Sequence, residues 1–328
     1  MKGKIIVTGG AGFIGSAIIW GLNKLGIDNI LIVDHMDESP KWKNLVGLKF
    51  MDYMDKDDFL TAILDGKFNQ ENIHCIFHMG ACSSTTERNA GFMFKNNFEY
   101  SKHLAVFAIR KEIRFIYASS AATYGDGSQG FSDDHEILEK LKPLNIYGYS
   151  KHLFDLWLKR NGLLDKVVGL KYFNVYGPNE YHKGQMRSFV IKAYEQIIQT
   201  GEVKLFKSYK PEYKHGEQKR DFIYIKDAVD MTLFFFQNRK PWGIFNIGTG
   251  KAHTWNELVD AVFKALGKQT RIKYIDMPVE LRNQYQYYTE ADISKLIKCG
   301  YKKNPRDFKS SIKDYIKNYL LKNSYLRE

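Results

Sequence analysis

The chain of 328 residues is 44% hydrophobic and 26% charged, the balance of a folded globular protein rather than a disordered or fibrous one. Its 49 Lys and Arg against 37 Asp and Glu leave a formal net charge of +12, which favours anionic partners such as nucleotides. Three cysteines, Cys75, Cys82 and Cys299, lack metal-ligand spacing and argue against a disulfide framework, and no apolar run reaches the ~18 residues of a membrane span, so a reducing cytoplasmic setting without metal or membrane is expected.

The first element predicted is a β-branched strand in "KIIVTGGAGFIGSAIIWGLNKLG" (residues 4–26). It runs into Gly9, Gly10, Gly12 and Gly15 and then into a helical pattern. The glycines break the apolar run at once, so the basic start is not read as a signal peptide. "NILIVDHM" (29–36) supplies a second strand ending at Asp34. Strand, turn, helix and strand form a βαβ unit. Glycines spaced GxxGxxG let backbone approach a diphosphate and aim a helix N-terminus at it. Asp34 lies nineteen residues after Gly15, where a ribose hydroxyl is expected. Asp34 favours the free 2′-hydroxyl of NAD, whereas His35, Lys41 and Lys56 are cations suited to the 2′-phosphate of NADP. Lys43 reads as solvated surface.

Further strands are predicted at "HCIFHMGA" (74–81) and "RFIYASSAAT" (114–123), with helical patterns between them. The alternation predicts an α/β doubly wound parallel sheet that places ligands at the carboxyl ends of its strands. "GACSS" (80–84) and "SSAATYG" (119–125) fall at such ends. His78 has no partner with metal-ligand spacing and reads as a packed residue.

In "NIYGYSK" (145–151), a helix places Tyr147 and Lys151 on one face and turns Tyr149 away. Beside an oxidised nicotinamide, a phenol depressed by Lys151 accepts a proton from a substrate hydroxyl, with Ser119 or Ser120 orienting the same oxygen. With 21 tyrosines in the chain, YxxxK alone is weak. The upstream βαβ unit and the serine-rich strand end make it specific. Toward the C-terminus, Lys295, Lys298, Lys302, Lys303, Lys309, Lys313, Lys317 and Lys322 suggest a helix with a solvated lysine face. Basic and aromatic residues do not alternate as in a nucleic-acid-binding module, so no nucleic-acid partner is expected.

Taken together, "TGGAGFIG", "YASSAATYG" and "YGYSK" resemble the extended short-chain dehydrogenase/reductases, a Rossmann-like superfamily whose members mostly modify nucleotide sugars. Within it, "GACSSTTE" (80–87), "LNIYGYSKHLFD" (144–155), "KYFNVYGPNEYHKGQM" (171–186), "KRDFIYIKD" (219–227) and "FNIGTG" (245–250) are similar to the ADP-L-glycero-D-manno-heptose 6-epimerases. The resemblance implies inversion at an unactivated carbinol carbon by transient oxidation, with no net redox. It implies Tyr147 and Lys183 as the two acid/bases, with Lys151 and Ser120 in support. It implies NADP as cofactor, with NAD open because Asp34-His35 stands where the family commonly has Asp-Asn. Gly9, Gly12, Phe13, Ile14, Gly15, Asp34, His35, Lys41, Lys56, Met79, Gly80, Ala81, Cys82, Ser83, Asn96, Lys151 and Val175 are implied to line the cofactor. Ser120, Asn174, Gln185, Lys192, Phe206, Lys207, Ser208, Tyr209, Arg220 and Tyr285 are implied to meet the ADP-sugar.

Arg220 also has its own rationale, a guanidinium for the diphosphate, against an ion pair with Asp221 or Asp227. A 4,6-dehydratase is disfavoured, since Ser120, Ala121 and Ala122 stand where those enzymes carry Thr-Asp-Glu. A 4-epimerase of a UDP- or GDP-sugar would share the catalytic set, and a non-catalytic dinucleotide-binding protein would not need Tyr147 or Lys151. Two domains are expected. Residues 1–176 with about 221–253 would bind the dinucleotide, and 177–220 with 254–328 the substrate. "KRDFIYIKDAV" and "GIFNIGTG" read as strands joining them. The resemblance further implies a homo-oligomer.

Overall fold

A computed structural model describes residues 3–36, 38–282 and 285–327; the expected domain limits at 1 and 328 lie outside them. The apolar runs become β1 (Lys4–Thr8), β2 (Ile30–Asp34), β3 (Asp52–Asp55), β4 (Ile73–His78), β5 (Arg114–Ser120) and β6 (Val168–Tyr172). After them come β7 (Asn174–Tyr176), β8 (Val203–Phe206), β9 (Lys219–Tyr224), β10 (Gly243–Ile247), β11 (Ala252–Thr254) and β12 (Ile272–Ile275). The principal sheet has the order β10-β6-β5-β4-β1-β2-β3, and its pairings are all parallel. The order reverses between β1 and β4. That switch point opens a crevice beyond the carboxyl ends of both strands.

Helices cover both faces, as a doubly wound sheet requires. Phe13–Lys24 and Ile225–Gln237 share one core with the outer layer, while Lys56–Leu64, Tyr100–Arg110 and Ile146–Arg160 bury Phe59, Leu104 and Phe154 against the other face. The first core runs without a break from Ile5 through Val190 and Leu258 to Ile316. It therefore crosses the expected domain boundary. A three-stranded sheet, β11-β9-β7, and a parallel pair, β12-β8, lie with the helices Phe189–Thr200 and Trp255–Leu266 in this outer layer.

Several elements end where the sequence pattern does not. β4 stops at His78, and β5 stops at Ser120, whose hydroxyl accepts the Ala122 N–H at 3.1 Å and starts a 3₁₀ turn. "KRDFIY" is a strand, but "IKDAV" begins the helix Ile225–Gln237. Lys295 does not belong to a solvated face, because its ammonium donates to Ile244 O at 2.7 Å and lies over Phe245. Among the described residues, no helix is long and apolar enough to cross a membrane and no group of His, Cys, Asp and Glu is placed to hold a metal ion.

Candidate active site

At the end of β1 the chain turns so tightly that only glycine fits. A Cβ on Gly9, where φ is +65°, would meet the backbone of Gly80 at 2.6 Å, and one on Gly15 would meet Gly9 O at 2.1 Å. The helix Phe13–Lys24 begins at Gly12 with no side chain capping its first amides. Free N–H groups, a positive helix end and room for close backbone approach suit the diphosphate of a dinucleotide. Phe13 is buried, and Ile14, Met79 and Val175 are half-buried against the same core.

At the far end of the crevice, Asp34 is already engaged. It accepts the Ala11 N–H and the His35 N–H, each at 2.8 Å, and Lys41 Nζ at 3.1 Å. His35 meets Asp55 at 3.3 Å. Lys56, expected beside the cofactor, sends its ammonium to Asp57 at 2.7 Å. Lys43 is exposed beside Trp42, as expected.

The helix Ile146–Arg160 is capped by Asn145, whose side chain accepts the Gly148 N–H at 2.8 Å. Gly148 permits its first turn to abut the end of β5, since a Cβ there would lie 2.7 Å from Ala122 O. This contact brings Tyr147 to Ser120. Tyr149 turns outward, 44% exposed, beside Phe94. The tertiary structure also separates the two serines. Ser119 Oγ donates to the buried Asp155 at 2.7 Å, so Ser120 is the hydroxyl that faces the tyrosine.

The expected depression of Tyr147 by Lys151 is not found. Burial pushes the phenol up, the hydrogen bond with Ser120 opposes this, and Cys82 adds to the rise. Lys151, itself 4% exposed, is pulled down to about 8 by burial, with Asp155 opposing. Desolvation is the largest cause of both shifts, with Lys151 buried and Tyr147 half-buried.

The loop after β4 is held by a residue that the sequence reading missed. Asn97 is fully buried, accepts the Cys82 N–H at 2.9 Å, and donates to Cys82 O at 2.9 Å and Ser150 Oγ at 3.0 Å. It thereby ties Ala81, Cys82 and the exposed Ser83 to the helix carrying Tyr147. Asn96 donates to Asn97 at 3.0 Å. A π-helical turn over Phe94–Glu99 sets which asparagine faces inward, a feature of backbone winding that composition does not reveal. His78 is packed, as expected. It meets Thr8 Oγ1 at 2.7 Å and Ser101 Oγ at 2.8 Å, and burial, reinforced by Lys151, drives it down to about 3.

Lys183 lies in the 3₁₀ segment Tyr181–Met186, with its ammonium 5.4 Å from the centre of the Phe13 ring. Burial lowers its pKa, Glu180 opposes the shift and Lys192 adds to it. Its side chain is half-buried, between an open surface position and a core one. The neighbouring His182 meets Asn44 at 3.2 Å, and Asn44 also donates to Ala11 O at 2.9 Å and Asn179 O at 3.1 Å. These three residues anchor the loop to the glycine turn. Their signal is purely tertiary, because their partners are distant in the chain.

On the substrate side, Asn174 is exposed on β7, Gln185 is exposed, and Gln185 O accepts from Lys192 Nζ at 2.7 Å. Lys207 reaches Asp276 at 3.1 Å and Tyr209 Oη reaches the same carboxylate at 2.9 Å. The backbone of Ser208 donates to His215 at 3.1 Å, while Phe206 closes β8. Tyr209 N–H donates to Tyr287 Oη at 3.1 Å, and Tyr287 packs on Tyr285, so this segment is joined to the Arg220 pocket.

Arg220 is 6% exposed, with its guanidinium 5.3 Å from the Tyr285 ring and 5.8 Å from Trp255. It donates to the carbonyls of Lys219 and Gln286. Asp221 instead accepts the amides of Thr249 and Gly250, and Asp227 pairs with Arg306. Among the described residues, no carboxylate pairs with Arg220. A buried guanidinium without a counter-ion is a strong anion site.

The sequence profile of the NAD dependent epimerase/dehydratase family matches residues 5–248. The chain is 52% identical over 315 residues to an ADP-L-glycero-D-manno-heptose-6-epimerase of Nitratidesulfovibrio vulgaris, covering 96% of this chain and 97% of that one. It is 51% identical over 332 residues to the enzyme of the same name from Fusobacterium nucleatum, covering 98% and 100%. Among solved structures, the Helicobacter pylori ADP-L-glycero-D-manno-heptose-6-epimerase superposes with a TM-score of 0.78 at 29% identity, over 96% of each chain. A UDP-N-acetylglucosamine 4-epimerase from Methanobrevibacter ruminantium superposes at 0.82 and 25% identity, over 99% and 100%.

Proposed function

The chain belongs to the NAD dependent epimerase/dehydratase family, and on that premise we propose that it inverts carbon 6 of the heptose in ADP-D-glycero-D-manno-heptose to give the L-glycero epimer. The observation that carries the reading is a second lysine with a lowered pKa, Lys183, half-buried over Phe13 at the head of the glycine-turn helix. An epimerase that works through a ketone must serve a hydroxyl on either face of one carbon, and two acid/bases on separate elements meet that need. Near full-length identity to enzymes named for this substrate supports the choice of sugar.

A nicotinamide dinucleotide, when bound, supplies the transient oxidation at carbon 6 and the hydride that reverses it. The chain's own residues supply the rest. Ser120 faces Tyr147 and orients it toward the substrate hydroxyl. Tyr147 holds or receives the proton of one configuration and Lys183 that of the other. Lys151 orients the nicotinamide ribose and offers a positive charge next to the phenol. Arg220 grips the diphosphate while Tyr285 flanks it, and Asn174, Gln185, Lys192 and Phe206–Tyr209 enclose the sugar and nucleoside.

The cofactor in this reading is NADP. Lys41 neutralises Asp34, and the His35 imidazole stands beside it, so a 2′-phosphate meets a compensated carboxylate and a hydrogen-bonding ring where an unpaired carboxylate would repel it. The 2′-hydroxyl of NAD has less of the Asp34 carboxylate left to bind. The dinucleotide-binding portion, 1–176 with about 221–253, and the substrate portion then close on the ADP-sugar from opposite sides. The enzyme acts as a cytoplasmic homo-oligomer supplying heptose for the lipopolysaccharide inner core.

The deciding experiment incubates purified protein, without added cofactor, with ADP-D-glycero-D-manno-heptose and separates the C6 epimers. Appearance of both epimers, abolished by Tyr147→Phe, is the expected result. No conversion even with NADP or NAD supplied would overturn the assignment and point to C4 of a UDP- or GDP-sugar, the alternative favoured by the close superposition on a 4-epimerase.

A further inference from the structure

Asp155 stands four residues beyond Lys151 and eight beyond Tyr147, so the three side chains share one face of the helix Ile146–Arg160. Its side chain is 0% exposed, as is that of Lys171, whose ammonium lies 3.7 Å away. The carboxylate accepts hydrogen bonds from Tyr117 Oη at 2.8 Å and Ser119 Oγ at 2.7 Å. Lys171 donates to Thr123 Oγ1 at 2.8 Å, and Thr123 donates to Ser120 O at 2.8 Å. One buried carboxylate is thus tied to the residue before Ser120 and, through Lys171 and Thr123, to the backbone of Ser120 itself. A buried ion pair adds little net stability over apolar packing, so stability alone does not account for this convergence beneath the site.

We propose that Asp155 is a positioning residue of the catalytic site, whose carboxylate holds the strand end bearing Ser120 against Tyr147 and supplies the negative charge facing the Lys151 ammonium. The inference rests on the roles given above to Tyr147, Lys151 and Ser120. The charged and titratable groups acting on Lys151 are Asp155, one turn along its own helix, and His78 from β4, and the negative charge among them is Asp155. Around Asp155 stand Tyr117, Tyr124, Lys171, His152 and His135. Burial holds Lys151 near 8 while Asp155 opposes it. Without the carboxylate the ammonium loses its proton at lower pH, and the orienting charge beside Tyr147 disappears within the working range.

The test uses two variants, because Asp155→Asn alone strands the Lys171 charge in the core and can prevent folding. The second variant, Asp155→Asn with Lys171→Met, removes both charges at similar volume. Two readouts are taken across pH: the titration of Lys151 by NMR of ε-¹³C-lysine protein, assigned with Lys151→Arg, and kcat and KM for ADP-heptose. The expected result in the folded double variant is a Lys151 titration and an alkaline limb of kcat both displaced downward by about one pH unit or more, with KM within about threefold. A folded double variant in which neither moves overturns the proposal. If the wild type does not convert the heptose, the substrate reading fails on its own, and the NMR titration alone then upholds or overturns the role of Asp155.

Discussion

Lys183 and Phe13 come together across the crevice, with the ammonium 5.4 Å from the ring centre, so a residue of the 181–186 loop lies over the first residue of the helix that follows the glycine turn. The contact half-buries a loop lysine, and desolvation is the largest cause of its lowered pKa.

Replacing Lys183 by Met is therefore expected to reduce kcat about 10²–10⁴-fold, the usual range for loss of a general acid/base. Bound dinucleotide should be unchanged. Steady-state rates and the absorbance of cofactor released on denaturation check both halves. Loss of bound cofactor would show that Lys183 serves binding and not proton transfer.

Arg220→Met removes a buried cation that no carboxylate pairs with among the described residues. Hydrogen bonds to charged groups are worth about 1.5–3 kcal/mol, so KM for the ADP-sugar should rise roughly 10–100-fold. Dinucleotide affinity should stay constant. A product-inhibition series with ADP reads the same contact, and equal ADP affinity in variant and wild type would remove Arg220 from the diphosphate site.

Lys41→Ala should weaken NADP more than NAD. The ammonium that now bridges to Asp34 at 3.1 Å is the cation paired with that carboxylate, and its removal leaves an uncompensated negative charge facing the proposed 2′-phosphate. Fluorescence titration with NADPH and NADH measures the ratio. An unchanged ratio would place the 2′-position elsewhere.

Stability should fall with acidification below about pH 6.5. Burial holds His78 near 3 and His182 and His135 near 4, so these imidazoles stay neutral in the folded chain while the unfolded chain takes up protons. A group whose folded pKa is depressed in this way contributes stability in full above the unfolded value, and that contribution declines as pH falls toward the folded one. Each such group adds a slope of up to about 1.4 kcal/mol per pH unit. His78→Gln can still accept from Thr8 and donate to Ser101 but does not titrate. Urea midpoints between pH 4 and 7 should show a shallower slope for this variant, and an identical slope would clear His78 of the effect.

The sequence by itself determined what depends on neighbours along the chain. The apolar run 4–8, the glycines at 9, 12 and 15, and Asp34 define the dinucleotide unit because strand, turn and helix are each set by spacings of a few residues. Tyr147 and Lys151 share a helical face for the same reason. Only the tertiary structure decided between Ser119 and Ser120, since the choice rests on Asp155 binding the first of them. The inward place of Asn97 beside Asn96 likewise depends on its bonds to Cys82 and Ser150. That no carboxylate pairs with Arg220 among the described residues was decided by partners far away, when Arg306 paired with Asp227 and the 249–250 amides took Asp221. The direction in which Tyr147 and Lys151 titrate was also a tertiary matter. Sequence spacing brings charges into range, but desolvation, which dominates both shifts, is set by the whole fold packed around them.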